Sequence, residues 1–307
     1  MYPNFPLPRS IEMVEVAPRD GLQNEKTLIS TADKLELIER AIAAGARRIE
    51  VTSFVNPKAV PQMADAEAVC EGLPQRDDVT FIGLVMNARG AGRALATGRI
   101  DQLGAVAVAS DTFAMANQGQ TSDGSVDAAK QIVAMAREAG KTGQVTIGAA
   151  FGCPFEGEVA EDRVVAMAVA AAEAGPLEIA LADTIGVANP AHVASLVGKV
   201  RAALPEMPIR VHFHNTRGTG LANVWSAILA GAVTIDASIG GLGGCPFAPG
   251  AAGNVSTEDV VYMLERAGIG TNLDLSKLIS ANHWLSEVMQ RNLPGMVAKA
   301  PSFPKQA

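Results

Sequence analysis

Two of the chain's four histidines stand two residues apart in Val211-His212-Phe213-His214-Asn215. If this run is a strand, residues two apart share a face, so both imidazoles enter one cavity and Phe213 turns away. Two imidazoles with a carboxylate and an amide oxygen form a mixed nitrogen and oxygen site. Such a site accepts Mn, Fe, Co or Zn, and Mg where oxygen ligands and water dominate. The pair reads equally as two hydrogen-bonded core histidines, because HxH is a short pattern. Asp20 in APRDGLQNE offers the carboxylate, with Arg19 beside it. Taken alone, that pair is an ordinary turn. Cys245 lies among Gly240, Gly241, Gly243 and Gly244 and precedes Pro246. Glycines permit close backbone approach, so this thiol could serve as proton donor or nucleophile, or simply pack under a loop. The loop is neither a dinucleotide fingerprint nor a phosphate-binding GxxxxGK[ST] loop.

These residues need elements to position them. β-Rich runs at 11–17, 48–52, 79–85, 105–109, 145–150, 177–182, 209–214 and 234–239 alternate with Ala-rich helical runs. The helical runs cover 32–44, 61–71, 88–97, 126–139, 161–174, 190–203, 220–230 and 257–267. Gly45, Gly140, Gly175, Gly231 and Gly268 stand where helices should end, and Ser30, Asp127 and Ser256 where they should begin. Eight strand-then-helix units predict a single (β/α)8 TIM barrel, with a doubly wound open sheet as the rival. The expected barrel covers about 10–270 and a helical extension about 271–307, including a helix over 273–289. A barrel gathers functional groups at the C-terminal ends of its strands. Arg19 and Asp20, Glu50, Thr52 and Ser53, Asp183 and Thr184, and the histidines all fall at such ends.

With 307 residues, 48% hydrophobic, and a net charge of -7, the chain can bury a large core and carries no basic field for nucleic acid or an anionic membrane. The start, MYPNFPLPRS, does not read as a signal peptide, and no apolar run reaches membrane-spanning length. Three scattered cysteines, Cys70, Cys153 and Cys245, suggest free thiols in a reducing cytoplasm.

Six segments together carry a resemblance: VEVAPRDGLQNEK, RRIEVTSFVNPKAVPQMAD, GCPFEG, ADTIGVANP, VHFHNTRGTGLAN and GLGGCPFAPGAAGNVSTEDVVYML, spanning residues 14–264. The chain resembles the 3-hydroxy-3-methylglutaryl-CoA lyase family of metal-dependent TIM barrels. The resemblance implies that Asp20, His212, His214 and Asn254 hold Mg²⁺ or Mn²⁺. It implies that Arg19 faces the thioester carbonyl and that Cys245 on a mobile loop takes part in proton transfer. Asp183 and Glu50 match acidic residues needed for activity, Asp183 standing ahead of His212 as base and Glu50 orienting Arg19. Gln23, Ser53 and Asn56 are the expected substrate-binding residues. The implied substrate is an acyl-CoA thioester, and the implied assembly a homodimer.

The match has departures. Family members commonly read HCHDTYGQALAN where this chain reads HFHNTRGTGLAN, placing Asn215, Arg217 and Thr219 at altered positions. Asn56 and Ala59 replace the usual Ser and Trp, so the acyl group need not be the family's usual one. A larger 3-hydroxy-3-alkylglutaryl-CoA is one alternative. Others are a condensing enzyme joining acetyl-CoA to a 2-keto acid, a metal hydrolase, and a CoA-ester-binding barrel without turnover.

Overall fold

The computed structural model describes residues 7–243, 253–301 and 303. Eight parallel strands form one closed barrel in chain order: β1 (Glu12–Glu15), β2 (Arg48–Ser53), β3 (Thr80–Val85), β4 (Gln102–Val108), β5 (Thr142–Gly148), β6 (Ile179–Asp183), β7 (Ile209–Phe213) and β8 (Thr234–Ala237). β8 pairs with β1 through Met13 opposite Ile235 and Glu15 opposite Ala237, and that closure excludes the open sheet. Around the barrel run α1 (Thr31–Ala43), α2 (Ala66–Gly72), α3 (Ala88–Ala96), α4 (Asp111–Gln118), α5 (Ser122–Glu138), α6 (Glu161–Ala172), α7 (Pro190–Ala203), α8 (Gly220–Ala230) and α9 (Thr257–Arg266). α10 (Leu275–Val288) is the expected extra helix. No helix among the described residues is long and apolar enough to cross a membrane.

Strand alternation sorts the core. Ile49, Val51, Leu103, Val145, Ile179, Val211, Phe213 and Ile235 join the helices in one apolar layer outside the barrel. The alternating positions carry a buried polar set instead: Arg48, Glu50, Gln102, Gln144, Glu178, Arg210, His212 and Asp236. Val14, Val16 and Ile82 form a small separate apolar cluster. The barrel interior is therefore ionic where such barrels commonly stack branched aliphatic layers.

Helix starts follow their caps, with one correction. Ser30 and Ser256 accept the N–H of Asp33 and Asp259, as expected for α1 and α9. α5 does not begin near Asp127. It begins at Ser122, with Thr121 accepting from Gly124. The first turn buries Ser122 and Ser125, whose hydroxyls bond Val108 O at 2.6 Å and Val108 N at 2.9 Å. Polar residues thus face the barrel, and the apolar pattern starts a turn late. The expected 61–71 helix splits into a short 3₁₀ turn, Pro61–Met63, and α2. α4 is missing from the sequence expectation because DTFAMANQ is short and half polar. The five predicted C-terminal glycines all take positive φ, from 69° at Gly140 to 105° at Gly45.

Candidate active site

β1 ends in a wide helical turn, Ala17–Gly21, closed by Gly21 N on Val16 O at 3.1 Å. Turns of this width recur at functional sites because they re-aim consecutive side chains. Glu15 anchors this one: its carboxylate accepts from Ala17 N at 2.8 Å, Ile239 N at 2.9 Å and Thr257 Oγ1 at 2.7 Å. The turn delivers Arg19 and Asp20 to the barrel mouth. Two strands away around the barrel, across β8, β7 delivers His212 and the residue after next, His214.

Asp20 Oδ2 lies 3.7 Å from His212 Nε2 and 3.6 Å from His214 Nε2. One ligand atom from each of the three residues falls within 4.8 Å of the others. The HxH pair therefore converges on a carboxylate. Asp20 Oδ1 faces Arg19 Nη1 at 2.6 Å, and Arg19 Nε donates to Glu50 Oε1. A register irregularity in β2 between Glu50 and Thr52 is of the kind that re-aims side chains beside active sites. Burial opposes the charge of Asp20, but Arg19, His214 and His212 together hold its carboxyl well below the usual range.

The donor set fits a divalent cation. Two imidazole Nε2 atoms and an ionised carboxylate oxygen converge, and Asp236 Oδ2 accepts from His212 Nδ1 at 3.1 Å. That bond turns the Nε2 lone pair toward Asp20, as carboxylate–histidine pairs do behind bound metals. It also occupies the nitrogen through which a metal-ligating His212 would have to act as base. Asn254 reaches the same group: its Nδ2 donates to Asp20 Oδ2 at 2.8 Å and to Leu242 O at 3.2 Å. Ligation through its oxygen requires the amide to turn over. Gly243, at φ 132°, leaves the amide its space, since a Cβ there would lie 2.6 Å from Asn254 Nδ2.

Arg19, Asp20, Gln23, Glu50, Asn56, His212 and His214 all line one cavity of about 830 Å³. Ser53 does not; it is buried and donates to Gln23 Oε1 at 3.2 Å, supporting the wall from behind. Asp183 is also fully buried and off the wall. Its two oxygens accept from Val187 N at 2.9 Å and Ala188 N at 3.0 Å, and burial raises its carboxyl pKa. Cys245 lies outside the described residues. Asp236 lines the cavity and escaped the sequence reading. Its only signal is a lone acid in the apolar run TIDASI, near the end of β8.

Two of the altered positions make local hydrogen bonds. Arg217 gives its Nη1 to Ile185 O at 2.8 Å and Gly186 O at 3.0 Å, outside the cavity wall. Asn215 Oδ1 accepts from Gly220 N at 3.0 Å, holding the start of α8. Ala59 does line the cavity, whose other walls include Phe54, Leu84, Met86, Val106 and Val108.

Fold and site thus define a class: TIM barrels whose C-terminal mouth holds a His-His-Asp metal-type centre with an arginine beside it. Within that class, residues 10–285 match the HMGL-like family model. The chain is 44% identical to the (R)-citramalyl-CoA lyase of Chloroflexus aurantiacus, over 96% of each chain. It is 43% identical to a hydroxymethylglutaryl-CoA lyase of Bacillus subtilis, over 94% of this chain and 97% of that one. An HMG-CoA lyase structure from Acinetobacter baumannii, in complex with coenzyme A and 3-methylmalate, superposes with TM-score 0.91 at 40% identity, covering 97% of each chain. The chain belongs to the HMGL-like family and is a lyase.

Proposed function

We propose that this lyase splits a 3-hydroxyacyl-CoA thioester bearing a tertiary hydroxyl and a carboxylate into acetyl-CoA and a keto acid. 3-Hydroxy-3-methylglutaryl-CoA, giving acetoacetate, is the first substrate to test. The observation that carries this reading is the meeting of Asp20, His212 and His214 with Arg19 on one cavity wall. Asp20, His212 and His214 would hold Mg²⁺ or Mn²⁺, with Asn254 joining once its amide turns. When bound, the ion supplies a Lewis acid at the substrate hydroxyl.

The chain's own groups do the rest. The hydroxyl proton goes to a base, the role the family resemblance gives Asp183, whose two oxygens here accept from Val187 N and Ala188 N. Its access to substrate requires release of the Val187 or Ala188 N–H. The C2–C3 bond breaks, its electron pair enters the thioester as an enolate, and the hydroxyl carbon becomes the ketone carbon. Arg19, held by Glu50, places fixed positive charge beside the enolate oxygen. Cys245 gives its proton to C2, completing acetyl-CoA, and recovers one from solvent, while Asp183 releases the hydroxyl proton to solvent.

A second reading concerns only the acyl group. Ala59 opens the cavity wall, which favours a longer alkyl branch on C3. The test is turnover with Mg²⁺ or Mn²⁺ on 3-hydroxy-3-methylglutaryl-CoA, citramalyl-CoA and a long-branched 3-hydroxy-3-alkylglutaryl-CoA, scoring acetyl-CoA and the keto product. Acetyl-CoA from one of them, abolished by Cys245→Ala, is the expected result. Free CoA instead would identify a hydrolase, and no product from any of them would overturn the lyase assignment for these substrates. Ala59→Trp is expected to lower kcat/KM for the long-branched ester about tenfold or more relative to the methyl ester. An unchanged ratio would remove Ala59 from the acyl wall.

A further inference from the structure

Arg210 is the largest fully buried side chain among the described residues, 1% exposed, in a barrel interior where an arginine is costly to desolvate. It stands on β7 two residues before His212 and so shares its face. Its Nε donates to Asp236 Oδ1, and Asp236 Oδ2 accepts from His212 Nδ1 at 3.1 Å. Its Nη1 lies 3.4 Å from Glu178 Oε1, and its Nη2 lies 4.0 Å from Glu50 Oε2, the carboxylate that holds Arg19. Below it, Arg48 binds the same Glu178 at 2.6 Å, Gln102 at 3.0 Å and Glu12 at 2.6 Å. A ladder of alternating charge thus runs up the barrel axis and ends under the two imidazoles. Three arginines, Arg19, Arg48 and Arg210, face five carboxylates in it, Asp20, Glu50, Glu178, Asp236 and the half-exposed Glu12, beneath a centre that suits a cation.

We infer that Arg210 is a positioning residue for the metal centre, acting through Asp236 to hold His212 with Nε2 toward Asp20. This rests on the metal-centre reading above. Arg210 does not line the cavity, so it cannot act by touching substrate. Its Nε commits one oxygen of Asp236 and leaves the other as an acceptor. His212 Nδ1 must then carry the proton and Nε2 the lone pair.

The test is Mn²⁺ binding to the full chain, read from the electron paramagnetic resonance of free Mn²⁺. Arg210→Lys keeps the charge but cannot span Asp236 and Glu178, and should raise the Kd about tenfold to hundredfold. Asp236→Asn is the second variant, should Arg210→Lys not fold. Its amide oxygen must face Arg210, so its NH₂ faces His212 Nδ1 and forces the proton onto Nε2; the Kd should rise at least as far. Arg48→Lys is the control, since Arg48 has no bond to Asp236: it should lower Tm and leave the Kd within about twofold. A folded Arg210→Lys or Asp236→Asn that binds Mn²⁺ as tightly as wild type would overturn the inference. A wild-type chain that takes up no Mn²⁺ would overturn the metal-centre reading itself, and this inference with it.

Discussion

Arg19 serves two carboxylates at once, Asp20 through Nη1 and Glu50 through Nε. Lysine has the charge but not the fork, so it can hold only one of them in place. Arg19→Lys is therefore expected to lower kcat about a hundredfold to a thousandfold with little change in KM, the size of losing one oxyanion donor. Steady-state kinetics on the substrate identified above would check this, and an effect confined to KM would reduce Arg19 to a binding group. At this scale the sequence was most legible for residues adjacent in the chain. The HxH spacing placed two imidazoles on one face before any fold was known. The altered position Arg217 caps the carbonyls of Ile185 and Gly186, contacts that no sequence spacing shows. Asp236 was illegible because its importance comes from Arg210 and His212 on the neighbouring strand.

Glu15 shows what the elements contribute. It closes the barrel seam by accepting from the turn after β1, from Ile239 beyond β8 and from Thr257 at the start of α9. Burial, only partly offset by these bonds, pushes its carboxyl up to about 7 from an ordinary 4.5. The folded state thus holds a proton that the unfolded chain releases between these values. This contribution to stability is complete below about 4.5 and is lost as pH rises through about 7, a change on the order of 3 kcal/mol at most. Calorimetry should show Tm falling over this window, and Glu15→Gln should flatten that fall. A Tm slope unchanged in the variant would mean that other groups set the pH dependence. Strands were legible in outline because their outward faces are apolar. The true start of α5 was not, because Ser122 and Ser125 hydrogen-bond into β4 where an apolar residue would ordinarily mark the buried face.

For the molecule as a whole, a centre built from β1 and β7 exists only when the barrel is closed, so binding metal must stabilise the fold. Mn²⁺ at about 100 times its Kd should add roughly 2.7 kcal/mol. Tm should rise with Mn²⁺ concentration in the wild type, and His214→Ala should abolish most of that rise. Equal shifts in both proteins would place the ion elsewhere. By itself the sequence determined the alternation of eight strands and helices, the pairing of His212 with His214 on one face, and a family resemblance that gathers Asp20, Arg19 and Asn254 around them. Those features are local, written in periodicity and motif. Only the tertiary structure decided that the barrel interior is a charge ladder, that Asp236 meets His212 Nδ1, that Asp183 turns into its own loop and that Arg217 stays off the wall. Each depends on contacts between residues far apart in the chain, which strand register and closure bring together.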